Sequence, residues 1–126
     1  MLEIEKDVEI TRELSPFAPE NQLGIYHIRR WTWYEKQGAF EKASTIIDAK
    51  KGLIQVKLND LYAEMMAISV RRAPEGLEWN VDLIKTELDA DVGDTLREIC
   101  REINGLTDNE KSGFLSPSEP EKDTPG

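Results

Sequence analysis

The chain has 126 residues, 39% of them apolar and 33% charged, with a formal net charge of −9 at pH 7. That length corresponds to one domain with a single core, and no apolar run nears the roughly 18 residues of a membrane span. A lone cysteine, Cys100, and a lone histidine, His27, exclude a disulfide within the chain and a zinc shell made of Cys and His alone.

The start, MLEIEKDVEI, carries acids and lacks the basic and apolar regions of a secretory signal, so the expected location is the cytoplasm. Charge is unevenly spread. Residues 1–20 hold six acids and two bases, residues 107–126 five acids and two bases, and the middle fourteen acids and twelve bases. A nearly neutral body with acidic ends does not suit binding to a phosphate backbone, which needs clustered Lys and Arg. Neither nucleic acid nor membrane is expected as a partner.

In chain order, Leu2, Ile4, Val8 and Ile10 alternate with Glu3, Glu5, Asp7 and Glu9, a strand pattern over residues 2–10. Its acidic flank suits an edge strand or an arm that orders against a partner. Pro16 and Pro19 mark residues 13–21 as a connector. Residues 25–31 are rich in β-branched and aromatic side chains and predict a second strand, with Tyr26, Ile28 and Arg30 on one face and Ile25, His27, Arg29 and Trp31 on the other. Thr32 and Glu35 form a capping-box pair for a helix over 33–44, with Trp33 packing into the core. Between 45 and 57 two readings stay open: a hairpin with Gly52 in its turn, or an extension of that helix through Ile47 with Gly52 as its C-cap.

Residues 59–72 read as the central helix. Leu61, Met65, Ile68 and Arg72 share one stripe with Leu58, Tyr62, Met66 and Ser69 beside it. Asn59 or Asp60 is the expected N-cap, Arg71 and Arg72 sit at the C-terminal end, and Pro74 with Gly76 closes it. Asn80 or Asp82 caps a short helix using Val81, Ile84 and Leu88. Asp89 or Asp91 opens a last one in which Val92, Leu96, Ile99 and Ile103 repeat at four, three and four residues, ending at Asn104 and Gly105. From Thr107 the composition is too poor in apolar residues to offset ordering, so disorder is expected around an isolated pair, Phe114 and Leu115.

The fold class is therefore α+β and mostly α-helical: a small helical domain with a short N-terminal β-strand or hairpin and a disordered C-terminal tail. Residues 1–20 are an acidic arm or edge strand, 21–106 the helical core domain and 107–126 the flexible acidic tail. No phosphate loop, HExxH, GxSxG or CxxC is present, so no catalytic residue, metal or cofactor is expected. Asp89, Asp91 and Asp94 lie where helix starts attract acids, and capping explains them. His27 has no nucleophile motif or second histidine beside it and is expected at the surface or in packing, while Cys100 is expected as a small buried hydrophobe.

The blocks HIRRWTWYEK (27–36), DLYAEMMAISVRRAPEG (60–76), Trp79, DLIKTELDADVGDTL (82–96) and REINGLTDNEK (101–111) resemble the tail assembly chaperones of long-tailed phages and prophage-like elements. The resemblance covers about residues 23–111 and leaves the acidic arm unexplained. It implies a non-enzymatic protein of the host cytoplasm, absent from the mature virion. Such a protein is a homo-oligomer that binds the tape-measure protein, keeps its helical stretches soluble and brings tail tube protein to it. The side chains expected to touch the client are Trp31, Trp33, Tyr34, Tyr62 and Met66, because aromatic and Met side chains adapt to a client of varying sequence. Phe114 and Leu115 are expected to form a short linear contact. A tail or tube-associated virion protein is the alternative of similar size. A small regulatory or nucleic-acid-binding module would rest instead on Arg29, Arg30, Trp31 and Trp33.

Overall fold

The computed structural model describes residues 4–48 and 50–106. Strand β1 (Glu5–Ile10) leads through a 3-10 turn at Glu20–Gln22 to β2 (Gly24–Arg29), then helix α1 (Trp33–Ala43) and strands β3 (Ser44–Asp48) and β4 (Leu53–Val56). Helix α2 (Leu58–Ser69) runs directly into β5 (Val70–Arg72), and α3 (Val81–Thr86) and α4 (Ala90–Asn104) complete the order. Among the described residues 46% are helical and 24% lie in strands, so the architecture is mixed α+β and the mostly helical expectation is corrected. The expected tail disorder and the Phe114–Leu115 contact lie outside the described residues, as does the start of the first strand at Leu2 and Glu3.

Two small antiparallel sheets are present. In the first, ordered β1-β2-β5, β1 is an edge strand paired in register from Glu5↔Arg29 to Ile10↔Gly24. One face is solvated and the other lies on the core, as antiparallel sheets allow. Tyr26, Ile28, Ile10 and Val70 are buried, while Glu5, Asp7, Glu9, Ile25 and Arg29 are exposed. The second sheet is the β3–β4 hairpin, with Thr45↔Gln55 and Ile46↔Ile54 opposite each other. Of the two readings left open for this stretch, the hairpin is therefore the one adopted. The backbone turns extended at Ser44, and the Lys57 N–H donates to the Ala43 carbonyl at 2.9 Å, closing the ribbon onto the end of α1.

The central helix is shorter than its pattern. It stops at Ser69, and Val70–Arg72 pairs with β2 instead, Ile28 opposite Val70 and His27 opposite Arg72. An open strand edge outcompetes helix propensity when a β-branched residue sits at the switch. The expected N-caps are corrected too: Lys57 takes that position without a side-chain cap, and Asn59 and Asp60 lie inside the first turn. Elsewhere local signals hold. Thr32 and Glu35 form the reciprocal capping box, Asn80 caps α3, and the Asp89 carboxylate accepts the N–H groups of Asp91 and Val92. Gly105 ends α4 at φ 71°, a left-handed position that glycine fills without cost.

The core sits between the β1-β2-β5 sheet and helices α2 and α4. Leu61, Met65, Leu96 and Ile103 are buried in it, with Ile68 and Ile99 half-buried at its edge. Trp31 packs in the same cluster, tilted on Phe40 with ring centroids 6.4 Å apart. Strand β5 is tied to α1 by a two-pronged ion pair: Arg71 Nη1 donates to Glu35 Oε2 at 3.0 Å and Nη2 to Oε1 at 2.9 Å. Hydrogen bonds from Arg71, helped by the Thr32 N–H, outweigh burial and bring the Glu35 carboxyl from 4.5 down to about 2. A lowered carboxyl pKa stabilises the fold above the unfolded value and loses that contribution as pH falls through the folded one. Each side chain is about 30% exposed, so after screening the pair is worth about 1 kcal/mol. Glu35→Gln is expected to remove that amount at pH 7 and to flatten the acid limb between pH 4.5 and about 2, read from urea melts across pH.

Candidate functional site

Helix α2 is the floor of an open groove walled by α3 on one side and the first half of α4 on the other, with a volume of about 330 Å3. Met66 and Ala63 lie at its base, Tyr62 is half-buried along it, and Ile84 and Leu88 line the α3 wall. Two of the sequence-expected contact residues, Tyr62 and Met66, thus come together, because positions four apart share a helix face. Charges of both signs rim the groove. Lys85 Nζ stands 3.2 Å from Asp60 Oδ1, and Arg97 lies 5.5 Å above the Tyr62 ring and 3.7 Å from Asp94. The Arg97 guanidinium over the ring is a cation–π contact that ties Tyr62 to α4.

Two side chains from outside the groove set its walls. The buried Gln22 amide donates from Nε2 to the Glu87 carbonyl at 2.9 Å and accepts the Asp89 N–H at Oε1 at 2.9 Å, so it grips both ends of the turn joining α3 to α4. Trp79 Nε1 donates to the Met66 carbonyl at 3.0 Å, and its ring meets Tyr26 edge-on at 5.5 Å. Neither role was legible in the sequence, since Gln22 sits in a polar connector and its partners lie more than 60 positions away.

The remaining expected residues part company. Trp33 and Tyr34 stand in the first turn of α1 at 73% and 80% exposure, which overturns the packing of Trp33 into the core and leaves both rings at the surface. Trp31 does the opposite. β2 ends at Arg29, so the two-residue alternation no longer governs Trp31, and its N–H is captured by Asn104 Oδ1 at 2.9 Å while the ring turns inward. It offers no surface. A set that sequence reasoning passed over is the exposed trio Ile46, Ile47 and Ile54 on the β3–β4 hairpin.

His27 lies on the solvated sheet face between two carboxylates, Nδ1 2.6 Å from Asp7 Oδ1 and Nε2 3.3 Å from Glu5 Oε1. Arg29 joins them at 2.6 Å from Glu5. Cys100 is fully buried and burial pushes its thiol up to about 12, far from the reactive thiolate. Among the described residues no three His, Cys, Asp or Glu side chains gather as a metal site, and no helix is long and apolar enough to cross a membrane. No protein-family model matches this chain, and neither a curated protein nor a solved structure matches it.

Proposed function

We propose that this protein is a non-enzymatic binding protein whose groove over α2 takes the anchor side chains of an amphipathic helix. Within that class it acts as a tail assembly chaperone for a tape-measure protein, helping to recruit tail tube subunits in the host cytoplasm. The observation that carries the reading is the groove: apolar at its base, edged by Asp60, Lys85, Asp94 and Arg97, and open to solvent. A volume of about 330 Å3 is at the small end for a ligand site. A whole helix, about 10 Å across, exceeds it, but side chains at i and i+4 fit, which is how helix-in-groove recognition works. The resemblance of residues 23–111 narrows the client to a tape-measure protein. Against a nucleic-acid role, Arg29 is paired with Glu5 and Arg30 donates to the Ile103 carbonyl, so both cations of that platform are engaged within the fold itself.

Coexpression with a tape-measure protein tests this. The wild type is expected to keep the client soluble and to co-purify with it. Tyr62→Glu is expected to stay folded and weaken capture by about tenfold or more, the size of an aromatic hot spot. Trp33→Ser probes the second surface without touching the core. A client that is equally soluble without this protein sinks the chaperone reading; capture that survives Tyr62→Glu removes the groove from it.

A further inference from the structure

The β3–β4 ribbon and strand β1 are opposite in charge. Residues 44–57 carry three lysines and one acid, residues 5–10 three acids and one lysine. On the ribbon, Ser44↔Val56 and Ile46↔Ile54 share one face, which starts in the core at buried Val56 and runs outward to Ile46 at 69% and Ile54 at 42% exposure. Lys57 lies at the base and Lys50 and Lys51 at the tip, all exposed, while Asp48 turns its Oδ1 back to accept the N–H groups of Lys50 and Lys51 at 3.0 and 3.3 Å. A lone two-stranded ribbon is marginal in water and gains from a third strand. Strand β1 is an edge of its own sheet, and an edge presents a row of N–H and C=O groups that can template another strand. Its core-side row holds Val8, half-buried, and buried Ile10; its outer row is Glu5, Asp7 and Glu9.

We propose that the ribbon of one copy adds to the β1 edge of a second copy, head to tail. With the two core faces on one side, Ile46 and Ile54 extend the row of Val8 and Ile10, and Thr45 and Gln55 stand beside the acids. The lengths agree: five-residue β3 spans about 17 Å and six-residue β1 about 20 Å, so the lysines at the tip and base of the ribbon flank the two ends of the acidic strand. Within their own sheet Glu5 and Asp7 already hold Arg29 and His27. Glu9, exposed opposite Ile25, is the acid that the partner's lysines meet. The same charges oppose β1 pairing with itself. An antiparallel twofold pair that keeps both core faces on one side sets acid opposite acid, for example Asp7 against Asp7 and Glu5 against Glu9, and like charges directly opposite are destabilising. A head-to-tail contact leaves one ribbon and one edge open on every unclosed assembly, so copies add until a ring closes or a filament extends.

The inference is independent of the groove and of the chaperone reading. Its test is sedimentation velocity on the full chain and on two variants at exposed positions, Ile46→Lys to spoil the ribbon and Glu9→Lys to spoil the edge. Both are expected to keep the wild-type circular dichroism and to associate about tenfold or more weakly, the scale of losing one buried apolar side chain or of setting like charges together. Mixed at a concentration where neither associates alone, they are expected to form one-to-one dimers and nothing larger, because each still carries the half that the other lacks. Should Ile46→Lys fail to fold, the tip pair Lys50→Glu and Lys51→Glu takes its place in the same mixture. A wild type that stays monomeric up to about 1 mM overturns the proposal. Association of Glu9→Lys alone at wild-type strength overturns it too, since ribbon would then be meeting ribbon, and so does a mixture that remains monomeric.

Discussion

Replacing Leu96 by alanine is expected to lower the unfolding free energy by about 2–5 kcal/mol, the range for large-to-small changes at buried leucines. Leu96 is fully buried in the middle of α4, in the cluster that also holds Leu61, Met65 and Ile103. The truncation removes three side-chain carbons, Cγ and both Cδ atoms, from the close-packed core between the sheet and the helices, which cannot collapse to fill the gap. The measurement is the urea midpoint at unchanged slope. Ile99, only half-buried on the same helix, is the comparison, and its alanine variant is expected to lose less. A neutral Leu96→Ala would remove α4 from the core.

Asn104→Ala is expected to cost about 3 kcal/mol, by a different mechanism. The Asn104 amide is buried, accepts the Trp31 N–H at Oδ1 at 2.9 Å and donates from Nδ2 to Ser69 Oγ at 2.8 Å. One side chain thus joins the end of α4, the end of α2 and the turn into α1. Removing it leaves a buried backbone donor without a partner, and each such group costs about 1–3 kcal/mol. The Ser69 hydroxyl can rotate to recover part of its loss, so Ser69→Ala alone is expected to be milder. A double-mutant cycle between the two reads the coupling, expected at about 0.5–3 kcal/mol for residues in one network. Additive effects would show that the hydrogen bond between them contributes nothing to stability.

Much of the local structure was readable because it rests on interactions within a few residues. The Thr32–Glu35 capping box, the Asn80 and Asp89 caps, the Gly105 stop and the Val92–Leu96–Ile103 stripe of α4 all appeared as expected. So did the capping role of the Asp89 acid and the burial of Cys100. The candidate site was half legible. Tyr62 and Met66 share a groove because they share a helix face, a relation that spacing states directly. Trp31 and Trp33 were misplaced in opposite directions, because a strand that stops two residues early resets which side chains point inward.

By itself, then, the sequence determined the caps of α1, α3 and α4, the amphipathic faces, the acidic edge strand and the chemistry that one cysteine and one histidine rule out. Only the tertiary structure decided three things. It ended α2 at Ser69, where pairing of Val70 with Ile28 on the open edge of β2 outweighs one more turn of helix. It turned Trp31 into the core through a bond to Asn104, 73 positions away. And it built the groove by having Gln22 hold the α3–α4 turn across a separation of 65 to 67 residues. Each depends on a hydrogen-bond partner distant in sequence. A buried donor must find an acceptor wherever the fold brings one, and no local pattern encodes which one that is.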